Sequence, residues 1–255
     1  MSSFVFENFK KFVDVAFDEH LTCNLCGEEV FHREDFCAEC LSKLVFIGGD
    51  RCERCGRAEL KPVEACRSCK ASFVDLSRSV FKYGKESSLL IQKLKYGGAA
   101  YLARILAKYL FRAYTENYFS PDVVTFVPMT DKEHFKRGYN HSEKLCEELC
   151  KLVGAQPFPL FVKKFDTLNQ VGLDFEERQK NLKGSFSLVD GVDVKGKKVL
   201  IVDDVLTTGA TSSELARLLK SKKAKTVYLI TVASVVSPSV AAAERARNER
   251  AENDE

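Results

Sequence analysis

No run of apolar residues in this 255-residue chain reaches the length a membrane-spanning helix needs, and the longest, around 227–236, is broken by Thr231 and Ser234. The N-terminus lacks a Lys/Arg-led apolar stretch ending at a small-residue cleavage site, so no secretory signal is expected and the cytoplasm is the expected location. Strong charge imbalance is absent as well: 39 Lys and Arg stand against 36 Asp and Glu, and net charge alone makes no case for nucleic-acid binding. Histidine is scarce. His20, His32, His134 and His141 show neither metal-ligand nor catalytic-triad spacing, and each reads as a surface residue.

Cysteine, by contrast, is abundant, with ten residues. Eight of them form four Cys-x-x-Cys pairs before residue 70: Cys23/Cys26, Cys37/Cys40, Cys52/Cys55 and Cys66/Cys69. Ten residues separate the first pair from the second and the third from the fourth, and the whole arrangement recurs after 29 residues, as an internal duplication would. Gly27 and Gly56 follow the first pair of each repeat, where closure of the turn needs a positive φ. Two such hairpins complete a closed tetrahedral Zn²⁺ site, whereas a set of redox motifs would not predict matched intervals. Two structural Zn²⁺ are therefore expected. The simplest pairing is sequential, Cys23/Cys26/Cys37/Cys40 and Cys52/Cys55/Cys66/Cys69, and spacing alone leaves an interleaved one open. Two Zn(Cys)₄ sites, each near −2, take the formal charge from +3 to about −1. Cys146 and Cys150 lie one helical turn apart beside an apolar stripe and read as small hydrophobes.

Residues 199–211, Val-Leu-Ile-Val-Asp-Asp-Val-Leu-Thr-Thr-Gly-Ala-Thr, are the most informative stretch. Val199 to Val202 read as a buried strand, Asp203 and Asp204 sit at its end, and a Thr/Gly loop leads to a helix opening at Thr211 with Glu214 in capping-box spacing. Adjacent carboxylates accept hydrogen bonds from a vicinal diol or hold a hydrated Mg²⁺, and free amides at a helix N-terminus bind phosphate. Diol on the acids and phosphate on the loop is the pattern of a ribose 5-phosphate. The stretch has neither the Gly-Lys-Ser/Thr of a P-loop nor the spaced glycines of a dinucleotide turn. It resembles the 5-phosphoribosyl-1-pyrophosphate (PRPP) motif of type I phosphoribosyltransferases.

Elsewhere the pattern predicts strands over 79–83, 122–127, 160–164 and 226–233, and helices through Leu89–Leu94, Leu102–Leu110 and 212–220. A polar loop is expected over 129–139, then a helix capped by Asn140 and ending near Gly154. A long polar loop is expected over 165–183. The expected organisation is an amphipathic helix over 1–20, a double zinc-ribbon region over 21–78, an α/β domain over 79–238 and a charged tail, a frayed helix or disordered, over 239–255. Alternation of strands and helices implies a parallel sheet flanked by helices.

Three segments occur in one family's order: Pro128 with Lys136-Arg137-Gly138-Tyr139-Asn140; Thr167, Gln170, Leu173, Arg178, Asn181, Gly184 and Phe186; and 199–211. With the cysteine array in front, the chain resembles the ComF family, bacterial competence-associated proteins with a type I phosphoribosyltransferase-like fold behind zinc ribbons. His141 stands where many relatives carry Gln. The resemblance implies PRPP and Mg²⁺ as ligands, with Asp203 and Asp204 on the ribose hydroxyls. It implies Thr207, Thr208, Gly209, Ala210 and Thr211 around the 5-phosphate. Arg137 would grip the diphosphate from a fixed loop and Arg178 from a closing one, with Gln170 and Asn181 as further contacts. The reaction implied is displacement of pyrophosphate at ribose C1 by an unidentified acceptor, linked to DNA uptake. Lys93, Lys95 and Tyr96 read either as acceptor or DNA contacts or as a solvated helix end. The alternatives to an enzyme are a PRPP-sensing or single-stranded-DNA-binding accessory protein of DNA uptake, and a zinc-ribbon adaptor that docks onto a DNA-uptake helicase or recombination protein.

Overall fold

The computed structural model describes residues 22–30, 34–70, 72–165, 182 and 184–253. The expected N-terminal helix lies outside the described residues, as do Thr167, Gln170, Arg178 and Asn181. Contacts divide the chain between Leu44 and Val45. Among the described residues, the smaller unit holds the first cysteine repeat and one short helix, α1 (Ala38–Lys43), whose N-cap Cys37 accepts a hydrogen bond on sulfur from the Cys40 amide.

The larger unit begins with the second cysteine repeat. It continues through β1 (Leu76–Lys82), α2 (Lys85–Tyr96), α3 (Leu102–Glu116), β2 (Val123–Phe126), α4 (Asp131–Arg137), α5 (His141–Val153) and β3 (Phe161–Lys163). After these come β4 (Phe186–Leu188), β5 (Lys198–Leu206), α6 (Ala210–Ser221), β6 (Thr226–Ser234) and α7 (Pro238–Asn253). Four strands form one parallel sheet in the order β1-β6-β5-β2, and β3 and β4 pair antiparallel beside it. Val199, Leu200, Ile201 and Val202 are fully buried, as a strand covered by helices on both faces must be. On α5, Leu145, Cys146, Leu149 and Cys150 form one buried stripe, with both cysteines acting as apolar filler.

β2 ends opposite Val202, but β5 runs on to Leu206 along β6. The segment carrying Asp203 and Asp204 therefore has a strand partner on one side only, and the other side opens onto the loop after β2. That loop departs from the sequence expectation. It contains α4, capped by Thr130, whose hydroxyl accepts from the Glu133 amide at 3.2 Å while the Glu133 carboxylate accepts from the Thr130 amide at 2.9 Å. None of its residues is buried, so no apolar periodicity announces it. The tail, expected as a frayed helix or a disordered segment, is helical as α7: Ala, Glu and Arg form helix readily, and Val240 is buried near its start.

The second cysteine repeat packs on the edge of the sheet. Ser77 N donates to Arg54 O at 2.7 Å, Arg78 Nη1 donates to Glu53 O at 2.7 Å, and Ser237 N donates to Ala58 O at 3.2 Å. Gly56, at φ +69°, lies so close to β1 that a Cβ there would come within 2.5 Å of Ser77 O.

Candidate functional site

The eight paired cysteines gather into two clusters, Cys23/Cys26/Cys37/Cys40 and Cys52/Cys55/Cys66/Cys69, with the sulfurs of each within 4.8 Å of one another. The pairing is thus sequential. A tetrahedron of sulfurs about 2.3 Å from a central zinc has edges of about 3.8 Å. The recorded contacts match: 3.8 Å for Cys26–Cys37, 3.7 Å for Cys52–Cys69 and 3.5 Å for Cys55–Cys66. The amides of Cys55 and Cys66 point at Cys52 Sγ, 3.5 and 3.2 Å away, as donors to a thiolate would. A hydrogen bond from the Cys55 thiol pushes Cys66 down to about 5, while burial and then the Cys66 charge push Cys69 up to about 12. Four contacting thiolates need a cation to ionise together. These are two Cys₄ zinc-ribbon sites, and elemental analysis is expected to find about two zinc ions per purified chain. A single ion would leave one cluster without its metal.

At the carboxyl edge of the sheet, a cleft of about 230 Å³ opens between the loops after β2 and β5. Asp203, Asp204, Arg137, Thr207 and Thr211 all line it. Asp204 is buried and forms an ion pair with Lys95 from the last turn of α2, and His141 Nε2 lies 3.4 Å from its other oxygen. Asp203 accepts from the Ser142 hydroxyl at 2.8 Å. Burial opposes ionisation of both acids, but Lys95 and His141 hold Asp204 well below the usual carboxylate range. Burial and then the Asp204 charge push Asp203 up to about 8. The native state therefore holds a proton on Asp203 that the unfolded chain releases near pH 4, so this residue lowers stability as pH rises from about 4 to about 8. Asp203→Asn, tested without ligand, should melt higher than wild type at pH 8.5, and the difference should vanish toward pH 4. A difference independent of pH would remove Asp203 as its source.

Arg137 stacks on Tyr96, with its guanidinium carbon 5.1 Å from the ring centroid and Nη2 donating to the Tyr96 hydroxyl at 3.3 Å. Lys163 of β3 lines the same cleft, paired with Glu133 at 2.9 Å. Beside the cleft, Thr207, Gly209, Ala210 and Thr211 surround a recess of about 30 Å³ at the N-terminus of α6. Thr208 is the exception: it does not line the recess, and its hydroxyl accepts from the Ala210 amide at 3.3 Å. The capping box expected at Thr211 does not form. Gly209, in the left-handed region at φ +85°, is the N-cap, and Glu214 is instead buried and held bidentately by Arg217 at 2.7 Å. The Thr211 hydroxyl has no hydrogen-bond partner among the described residues.

Several residues of the cleft escape a reading of the sequence. His141, expected on the surface, is only 8% exposed and faces Asp204. The signal was its place: His141 and Ser142 follow the Asn140 N-cap directly, on a helix start tied to Val127 O by the Asn140 amide at 2.9 Å. Lys95 is no solvated helix end, since it neutralises a buried acid. Arg57 of the second ribbon, also buried, donates to the Thr207 carbonyl in the loop after β5.

The profile of the double zinc ribbon domain matches residues 12–70, and that of the phosphoribosyl transferase domain matches residues 154–253. A DNA utilization protein YhgH of Salmonella typhi is 33% identical over 213 residues, which span 81% of this chain and 87% of that protein. Competence protein F of Haemophilus influenzae is 30% identical over 66% of this chain and 78% of its own length. Competence protein ComFC of Streptococcus pneumoniae is 26% identical over 81% of this chain and 97% of its own. With a parallel sheet flanked by helices, two Cys₄ ribbons and these relatives, the chain belongs to the ComF family of phosphoribosyltransferase-fold proteins.

Proposed function

We propose that the cleft binds PRPP with Mg²⁺ and transfers its phosphoribosyl group to an acceptor in the handling of incoming DNA. The observation that carries this reading is the adjacency of Asp203 and Asp204 to the recess at the start of α6, with Arg137 and Lys163 across the cleft. The Asp203 and Asp204 carboxylates would hold the ribose hydroxyls. The amides of Gly209, Ala210 and Thr211, with the Thr207 and Thr211 hydroxyls, would hold the 5-phosphate. The donor set suits Mg²⁺, which takes one or two carboxylates together with phosphate oxygens; the imidazole of His141 is not a magnesium ligand by preference and serves to position Asp204. When bound, Mg²⁺ neutralises charge on the diphosphate. Arg137, together with Arg178, would stabilise the charge that develops there as the C1–O bond breaks, pyrophosphate leaves and the acceptor's lone pair forms the new bond to C1.

The DNA link rests on the relatives' names, two of them competence proteins and one a DNA utilization protein. A second reading, binding without transfer by a single-stranded-DNA adaptor, is favoured by Phe135 and Tyr96, which are 93% and 64% exposed on helices bordering the cleft and suited to stacking bases. The test is a melt with PRPP and Mg²⁺, followed by a pyrophosphate-release assay with nucleobases and oligonucleotides. PRPP should raise Tm. Asp203→Asn with Asp204→Asn should abolish the rise while the protein stays folded. An equal rise in the double variant would discard the ribose assignment, and binding without release under any acceptor would select the adaptor.

A further inference from the structure

A second cavity, of about 500 Å³, lies between the segment after Val45, strand β1 and the last two turns of α3, and it shares no lining residue with the cleft. Its volume falls in the range of small-molecule sites. Three guanidiniums, Arg51, Arg78 and Arg112, line it against one lining carboxylate, Glu116. Arg51 Nη2 and Arg78 Nε both donate to a single acceptor, Asn117 Oδ1, at 3.3 and 2.5 Å. Two like charges are thus gathered on one neutral oxygen. Glu53 answers Arg78 at 3.3 Å, but no carboxylate pairs with Arg51 among the described residues, and Arg51 Nε is buried without a partner.

Gly48 and Gly49 line the cavity as well. Gly48 and Gly49 have nothing within 4 Å of where a Cβ would sit, and neither amide donates a hydrogen bond among the described residues. Two aromatic residues line it too: the rings of Phe46 and Tyr109 lie 5.9 Å apart at 45°, and Phe46 is 43% exposed. Guanidiniums, glycine amides without a recorded partner and aromatic rings lining one cavity are complementary to a phosphate monoester joined to a planar base. We infer that this cavity binds a nucleoside monophosphate, its phosphate on Arg51 and the Gly48–Gly49 amides and its base against Phe46 and Tyr109. The inference does not depend on PRPP binding in the cleft.

The test is calorimetric titration of adenosine 5′-monophosphate into the full-length Asp203→Asn/Asp204→Asn variant, which weakens competing ribose phosphate binding in the cleft. One saturable site is expected, with adenosine binding far more weakly. Adding Arg51→Gln should weaken the nucleotide and inorganic phosphate alike, by about tenfold or more for a lost charge-assisted contact. Phe46→Leu should weaken the nucleotide several-fold and leave inorganic phosphate unchanged. Arg112→Ala, whose side chain is 73% exposed and so carries little risk to folding, should weaken both ligands a few-fold. Failure to saturate at millimolar nucleotide, equal affinity for adenosine and its monophosphate, or affinity unchanged by Arg51→Gln would each overturn the site. So would binding of an oligothymidylate without terminal phosphates where the mononucleotide does not bind.

Discussion

Cys52→Ser is expected to abolish the rise in Tm that PRPP is proposed to cause, although the residue belongs to a zinc ribbon and not to the cleft. Cys52 is fully buried, and its cluster sits in a ribbon joined to the edge of the sheet by backbone hydrogen bonds. The same ribbon carries Arg57, whose guanidinium donates to the Thr207 carbonyl beside the proposed phosphate recess. Losing one thiolate ligand should release the metal, and structural zinc contributes folding free energy directly. The ribbon should then loosen and take the support of the phosphate loop with it. Cys26→Ser in the first ribbon is the control: it should lose about one zinc per chain and keep the PRPP-induced rise in Tm, because its cluster belongs to the separate smaller unit. Equal PRPP responses in the two variants would show that the second ribbon does not hold the loop.

Lys95→Met should destabilise the protein by about 3–5 kcal/mol, the usual cost of leaving one member of a buried ion pair unpartnered. Asp204 carries the penalty. Its side chain is only 6% exposed, and Lys95 provides the charge that keeps it ionised. In the wild type this pair contributes fully above the unfolded aspartate value near pH 4, because the folded value lies below it. Without Lys95, burial drives the Asp204 value upward, so the loss should be greatest near pH 8 and shrink toward pH 4 as the acid takes up a proton. Asp204→Asn introduced on top of Lys95→Met should recover most of the lost stability. Chemical denaturation at two pH values measures all of this. A loss of the same size at both, unrelieved by Asp204→Asn, would mean that Lys95 acts through packing of its methylenes.

What could be read from the sequence were features that local rules specify. Strand β5 was legible because four apolar residues, two acids and a Thr-Thr-Gly loop must coincide. Helix α5 was legible from the Asn140 cap and Gly154, which adopts the left-handed conformation at φ 72°. The cysteine clusters followed from repeat spacing, with the sequential pairing the simplest one and the interleaved one decided only by the fold. The partners of the acids were hidden, because what defines them is not local. Lys95 meets Asp204 only when α2 packs across the end of β5, and Arg57 meets Thr207 across 150 residues of chain. Helix α4 was missed for a different reason: with no residue buried, it is written in its cap alone.

The two cysteine repeats, so alike in spacing, have acquired unequal freedom to vary. Gly27 and Gly56 occupy the same place in the same turn, at φ +83° and +69°. Around Gly27 a side chain would meet open space, so Asn, which tolerates the left-handed region, is an available replacement there. Around Gly56 any Cβ would strike the main chain of β1, and neither conformational tolerance nor rotamer choice relieves a collision with backbone. A duplicated hairpin has in this way become two different objects: one copy is answerable only to its own turn, and the other is a keystone whose smallest residue fixes how near a metal site can stand to a sheet.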